Sequence, residues 1–286
     1  MKIKSLLCHS LVVSFAVSFP VFGQTAILPY QDANLPVEQR VSDLLSRMTL
    51  EEKVAQMQMK SLNRLKTKDG QWDLSKKSLD DFFGSHSIGC LESPFIEHEE
   101  IARISEAIDR YLRENTRLGI PAIQIAECLH GHLALGTTIF PQSIGLGSTW
   151  NPELIGQMAS VIAEEASLAG VDQALSPLFD LARDPRYGRV EECYGEDPYH
   201  IGELGLQMSL GVQEQGVASC LKHYAAYSVP KGGRDGDART DPHIAPRELH
   251  EIFMYPFRHV IMNAHPMEVM SSYNDWNGEP VTGSYY

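Results

Sequence analysis

The sequence predicts an α/β protein in which helices cover a parallel sheet. Three observations point there. Helical patterns alternate with short apolar runs along most of the chain. Those runs lack the polar alternation of a half-solvated strand, as expected for strands buried on both faces. Polar or charged groups follow four of the runs directly: Glu127, the segment around Arg183 to Arg189, Lys222-His223 and Tyr273-Asn274-Asp275. A doubly wound sheet and a (β/α)8 barrel both satisfy this pattern. No GxGxxG or GxxxxGK[ST] follows a strand, which removes the commonest nucleotide-binding reason for an open sheet.

The elements read as follows. Pro36 to Met48 is a helical pattern, and Thr49-Leu50-Glu51-Glu52 is a capping box that opens a second helix through Met59. Residues 60 to 86 are polar and irregular and read as an excursion. Ser87 to Cys90 is a short strand. Glu97 to Leu118 is a helix with Ile101, Ile104, Ile108 and Leu112 on one face, stopped by Gly119. Ile120 to Ala126 is a buried strand, and Gly145-Leu146-Gly147 is a short strand candidate. Asn151-Pro152 offers an N-cap and a first-turn proline for a helix to Ala169. Val171 to Leu175 is the next strand. Asp197-Pro198 caps a helix to Gln215, and Val217 to Leu221 follows as a strand. Residues 230 to 243 form a Gly/Asp/Arg-rich loop, Pro246 to Asn263 a helix, and Met267 to Ser272 a strand.

Bulk properties narrow the function. Lys and Arg number 24 against 37 Asp and Glu, a net charge of −13, which argues against nucleic acid and anionic membrane surfaces as partners. Lys2 and Lys4 precede an apolar stretch from Leu6 to Phe22, and Val21-Phe22-Gly23 fits a cleavage site before Gln24. Residues 1 to 23 therefore read as a signal peptide and residues 24 to 286 as one exported domain, periplasmic or extracellular. His9, Ser10 and Pro20 interrupt the apolar stretch, so an integral membrane protein is not expected. Cys8 lies too early, and after Leu6-Leu7, to be a lipid-attachment site. Cys90, Cys128, Cys193 and Cys220 remain after export; they allow three disulfide pairings, and the sequence selects none. His130-Gly131-His132 is too short for a metal motif, and no CxxC or HExxH is present.

The densest chemistry lies between Ser176 and Pro198. Arg183, Arg186 and Arg189 alternate there with Asp180, Asp184, Glu191, Glu192, Glu196 and Asp197, and with Phe179, Tyr187 and Tyr194. Guanidinium forks and carboxylates suit the gripping of several hydroxyls in fixed geometry. A surface loop laced with weak ion pairs is the plain alternative. The grouping of four polar clusters at strand ends favours a shared site, because the carboxyl ends of barrel strands meet at one mouth. Each residue also has a structural reading. Glu127 would cap a following helix, Lys222 would be a surface amine, and His223 and Tyr273 would be satisfied core residues. Trp150 and Trp276 would be a stacking surface or plain core.

The motifs together resemble the N-terminal barrel of glycoside hydrolase family 3, the β-glucosidase and β-xylosidase family. The matching pieces are Glu127-Cys128-Leu129-His130-Gly131, Phe140-Pro141 and Thr149-Trp150-Asn151-Pro152. Arg183-Asp184-Pro185-Arg186-Tyr187-Gly188-Arg189 with Glu191 and Gly195-Glu196-Asp197-Pro198 follow. Lys222-His223-Tyr224, Met270-Ser271-Ser272-Tyr273-Asn274 and Asn277-Gly278 complete the set. They stand in family order across nearly all the mature chain.

The resemblance implies a TIM-like (β/α)8 barrel, incomplete at its C-terminal end. It implies an exported, retaining O-glycosyl hydrolase that releases terminal β-D-glucose or β-D-xylose from β-linked oligosaccharides. No metal and no organic cofactor are implied. Glu127 matches the acid that holds hydroxyls of the non-reducing-end sugar. Arg189, Lys222 and His223 match the other groups gripping that sugar, and Met270 and Tyr273 match residues lining the same pocket. Retaining glycosidases need two carboxyl groups. By resemblance, the nucleophilic aspartate and the acid/base glutamate fall beyond Tyr286. The 286 residues alone are thus expected to be inactive, and Asp275 lies in the wrong motif to be the nucleophile. Lys222-His223 continues as Tyr-Ala-Ala-Tyr, which disfavours the N-acetylhexosaminidase branch. Gly232 to Gly236 resembles the glucosidase and xylosidase type, and Glu rather than Asp at position 127 leans toward xylosidases. The rival readings are an inert remnant that at most binds carbohydrate and a non-glycosidase barrel that holds an anion on Arg189, Lys222 and His223.

Overall fold

Six short strands run parallel, and each pairs with the next one in the sequence. The computed structural model describes residues 27–84, 86–228 and 240–285. The proposed signal peptide and the Gly232 to Gly236 motif lie outside those residues. Two compact units divide at Met48. The first contains helix α1 (Val37–Arg47), in which Asp43 accepts a hydrogen bond from Arg47 Nε at 2.8 Å.

The second unit begins with α2 (Leu50–Gln56), opened by the expected capping box: Glu52 N donates to Thr49 Oγ1 and Thr49 N to Glu52 Oε2. The arrangement continues with β1 (Met59–Ser61), α3 (Lys76–Phe83), β2 (Cys90–Glu92), α4 (His98–Asn115) and β3 (Ile123–Ala126). Next come α5 (Ser143–Gly147), α6 (Pro152–Leu168), β4 (Gln173–Ala174), α7 (Pro198–Glu214) and β5 (Ala218–Tyr224). The last crossover holds α8 (Pro246–Glu248), a π-helical turn at Leu249–Phe253, and α9 (Tyr255–Ala264) before β6 (Glu268–Ser271). The sheet order is β1-β2-β3-β4-β5-β6, all parallel. A doubly wound sheet reverses direction at a switch point. This one never does, so of the two architectures the pattern allowed, the winding is that of a barrel, here an open half-barrel.

A hairpin follows, β7 (Asp275–Trp276) and β8 (Glu279–Pro280). Asn277 and Gly278 form its two-residue turn with φ of 54° and 83°. Two positive φ values in succession are what a type I′ turn requires, and Asn-Gly supplies them at low cost.

The main core lies between the sheet and helices α6, α7 and α9, where Ile155, Ile162, Met208, Val212, Phe257 and Val260 are buried together. The face of α4 expected from its periodicity is buried as well: Ile101, Ile104, Ile108 and Leu112 are fully inaccessible. The four cysteines of the described residues are free thiols. No helix among the described residues is long and apolar enough to cross a membrane.

Three expectations need correction. The helix begun at Thr49 stops at Gln56, and Met59 opens β1 instead, because Gln58 O accepts from Cys90 N at 3.1 Å and Ala55 O from Gly89 N at 3.2 Å. Pairing with β2 thus claims carbonyls that a longer helix would have used, and the span read as an excursion contains β1 and α3. Gly145-Leu146-Gly147 is the end of a helix, not a strand: Gln142 O accepts from Gly145 N and Leu146 N at 2.8 and 3.0 Å. Finally, β5 does not end at Leu221. It runs to Tyr224, since Phe179 N donates to Lys222 O on one side and Ser272 N to Tyr224 O on the other.

His132 is fully buried, and neither ring nitrogen has a hydrogen-bond partner among the described residues. Burial, helped by His98, lowers its pKa from the ordinary 6.5 to about 4. The folded protein therefore holds His132 neutral where the unfolded chain binds a proton. Stability is complete above about pH 6.5 and falls as pH drops toward about 4. By pH ~4.5 the loss attributable to this group is on the order of 2 kcal/mol. His132→Leu is expected to flatten the acid limb of a urea-midpoint-versus-pH curve, and an unchanged limb would show that His132 is not its source.

Candidate active site

Glu127 is the first residue after β3, and its carboxylate meets a lysine from two strands away. Lys222 Nζ donates to Glu127 Oε1 at 3.1 Å and Oε2 at 2.8 Å. The lysine side chain is 1% exposed and the glutamate 41%. A buried ammonium needs a partner to stay charged; Glu127 is that partner and keeps an open side toward the cavity. The carboxylate does not cap a helix.

His223, next to Lys222 on β5, makes a second pair. Its Nδ1 lies 2.7 Å from Asp180 Oδ2, and the Tyr187 hydroxyl donates to the same oxygen at 3.0 Å. All three residues are buried. Burial, reinforced by Asp180, pushes the Tyr187 phenol well above its ordinary pKa, so it stays a hydrogen-bond donor. On the other side, His223 Nε2 lies 3.2 Å from Arg189 Nη1.

Arg189 completes the chain. Its Nε and Nη2 donate to the two oxygens of Glu192, each at 2.7 Å. Burial is the largest single influence and would lower the guanidinium's pKa, but the hydrogen bonds and charge of Glu192, together with Tyr187 and Asp180, outweigh it and leave the net shift upward. The other two arginines of the segment behave differently. Arg183 pairs with Glu248 at 3.1 Å and Arg186 with Asp184 at 2.6 Å, both near the surface. The hydrogen bond from Arg186 holds Asp184 down at about 2. One arginine of three thus turns inward, and the surface-loop reading describes the other two.

Glu127, Arg189 and Tyr273 line one cavity of about 380 Å³, with Leu129, Gln142 and Glu191 among its other walls. That volume suits a small molecule. Tyr227 lies beneath it, fully buried, with ring centroids 5.3 Å from His223 and 5.7 Å from Tyr273. A larger cavity of about 960 Å³ opens at the opposite end, where Cys90, Ile123, Gln173, Ala218 and Glu268 begin their strands. Barrel sites are built at the carboxyl ends of strands, and the converging charged groups are there too, so the smaller cavity is the candidate site.

Of the six residues singled out by sequence, the structure joins five. Glu127, Lys222, His223 and Arg189 form one bonded system with Asp180 and Glu192, and Tyr273 adds its ring. Met270 instead packs against Ile125, Leu175 and Cys220 between the strands. Trp276 is core, its Nε1 donating to Ile244 O at 3.2 Å. Trp150 is 72% exposed and stacks on His200. Asp180 and Glu192 had been visible only as members of a charged segment. Tyr227 gave no signal, because a tyrosine three residues past the end of a strand looks like any core aromatic. Among the described residues no group of three His, Cys, Asp or Glu side chains is placed to hold a metal.

A half-barrel whose strand ends gather paired cations, carboxylates and tyrosines beside one small cavity defines a (β/α)-barrel type of site. Residues 49–286 match the family described as the glycosyl hydrolase family 3 N terminal domain, and the chain belongs to that family. A β-xylosidase of Formosa agariphila is 39% identical over 180 residues, which are 58% of this chain and 24% of that protein. A β-glucosidase from Erythrobacter marinus superposes with a TM-score of 0.77 at 31% identity, covering 88% of this chain and 34% of that one. A β-glucosidase from Listeria innocua, solved with laminaribiose, gives a TM-score of 0.70 at 32% identity, covering 87% and 34%. The chain spans a quarter to a third of the length of these relatives. Such homologues make it part of a β-glycosidase family.

Proposed function

We propose that the whole protein is an exported, retaining β-glycosidase that removes terminal β-D-glucose or β-D-xylose, and that this chain carries the sugar-gripping part of its site. One observation carries the reading. Glu127, a partly open carboxylate acceptor held from behind by the buried Lys222, and the Arg189–Glu192 pair, a donor with its acceptor, line one cavity. A sugar offers each hydroxyl as donor and acceptor, so it matches a mixed lining. An anion would match unpaired cations, and here both cations already hold carboxylates. Hydrogen bonds to ring hydroxyls strengthen as the sugar distorts toward an oxocarbenium-like transition state, so the same groups would support turnover. The xylosidase and glucosidase relatives support the two sugars named.

On this reading the two catalytic carboxyl groups are encoded past Tyr286, and the 286 residues bind without hydrolysing. The test compares the chain with the product of the reading frame extended beyond the Tyr286 codon. Glucose or xylose binding by the chain, with aryl β-glucoside or β-xyloside hydrolysis only by the extended product, is the expected result. Hydrolysis by the 286 residues alone would refute the division of labour. An extended product that neither binds sugar nor cleaves either glycoside would refute the function.

A further inference from the structure

Asp180 is not itself one of the cavity's lining residues, yet it decides what His223 presents. An arginine can only donate hydrogen bonds, so at 3.2 Å from Arg189 Nη1 the His223 Nε2 must be the acceptor. An ionised aspartate can only accept, so at 2.7 Å from Asp180 Oδ2 the His223 Nδ1 must carry the proton. The Tyr187 hydroxyl donates to the same aspartate oxygen at 3.0 Å, so that oxygen is an acceptor from two sides. We propose that Asp180 is a positioning residue: it holds His223 as the neutral Nδ1–H tautomer, and the Nε2 lone pair in turn steers the Arg189 guanidinium.

The consequence reaches the cavity through Arg189. A guanidinium has five N–H groups. Nε and one hydrogen of Nη2 go to Glu192, and one hydrogen of Nη1 goes to His223. One N–H on Nη1 and one on Nη2 have no partner among the described residues and can serve a ligand. Clamped by Glu192 on one edge and by His223 on Nη1, the guanidinium cannot rotate in its plane, so those two donors keep one direction. Two donors a fixed distance apart suit two hydroxyls on adjacent ring carbons. This last step rests on the sugar reading above, whereas the tautomer does not. With the opposite tautomer, an Nε2–H would face an Arg189 N–H, two donors without an acceptor, and Arg189 would have to turn away.

The test is a long-range ¹H–¹⁵N correlation spectrum of the 286-residue chain labelled at histidine nitrogens, with His223 identified by the signals missing from His223→Gln. The expected spectrum shows a pyrrole-like Nδ1 and a pyridine-like Nε2. Asp180→Asn keeps an acceptor and is expected to keep that tautomer. Asp180→Ala is expected to lose it and to weaken xylose or glucose binding about tenfold or more, with the Asn variant recovering most of the affinity. A wild-type His223 protonated on Nε2 or on both nitrogens would overturn the proposal, as would an unchanged tautomer in a folded Asp180→Ala. If the alanine variant does not fold, the wild-type spectrum decides. The expected tautomer in a chain that binds neither sugar would uphold the positioning role and refute sugar binding by the 286 residues.

Discussion

Glu127→Ala is expected to cost the fold about 3 kcal/mol, whereas Lys222→Met costs about 1 kcal/mol or less. The two substitutions break the same ion pair, and the asymmetry comes from burial. The Lys222 side chain is 1% exposed, so without Glu127 its ammonium is stranded among strand residues or must give up its proton. The Glu127 carboxylate is 41% exposed, so without Lys222 it turns to water. Methionine replaces the lysine stem with an unbranched apolar chain of similar length and leaves no buried charge. Both variants are expected to weaken sugar binding, because one removes the Glu127 carboxylate from the cavity wall and the other removes the lysine that holds that carboxylate in place. Urea unfolding with unchanged m-values measures the first effect. Equal destabilisation by the two variants, or the reverse order, would mean that the pair is solvated from both sides and that Lys222 is not the buried partner.

Gly147→Ala is expected to destabilise by about 3 kcal/mol or more and to weaken the site as well. A Cβ on Gly147 would lie 1.8 Å from the Tyr194 carbonyl oxygen, 2.7 Å from its carbon and 3.2 Å from its Cα. These are backbone atoms, so no side-chain rotation relieves the overlap. The Tyr194 backbone would have to move, two residues beyond Glu192, whose carboxylate holds Arg189. The same region is tied to α5 by His200 Nε2, 2.9 Å from Gly147 O. Gly145→Ala is the control within the same short helix. Its Cβ would meet only Pro141 Cβ at 3.7 Å, an ordinary contact, and alanine suits a helix better than glycine. Thermal melts and sugar titrations of the pair are expected to separate widely. Two near-native proteins would show that the α5–Tyr194 approach is not tight.

Some features were legible because a local rule sufficed. The capping box at Thr49 and Glu52, the N-caps Asn151 and Asp197, and the four-residue apolar spacing of α4 depend on neighbours a few residues away. The motif residues were legible as a set because they stand in family order. Where short-range signals compete with strand pairing, reading failed. The pattern through Met59 looks helical, but Gln58 O and Met59 pair with Cys90, about thirty positions on. A three-residue strand is too short to carry a period of two, and Gly145-Leu146-Gly147 is too short to distinguish one period from another. For Met270, a family position did not become a place in the cavity: the side chain points among the strands.

By itself the sequence determined the class of fold, the helices with their caps, and the types of side chain at the strand ends, since each of these follows from local pattern or from an ordered set of motifs. Only the tertiary structure decided that the sheet winds in one direction, that Arg189 faces inward while Arg183 and Arg186 do not, and that Asp180 and Glu192 stand behind His223 and Arg189. Those outcomes depend on groups up to 95 positions apart meeting within 3 Å, as Lys222 and Glu127 do. The energy of such a meeting is set by burial and by the partner's geometry, and neither is a property of a stretch of sequence.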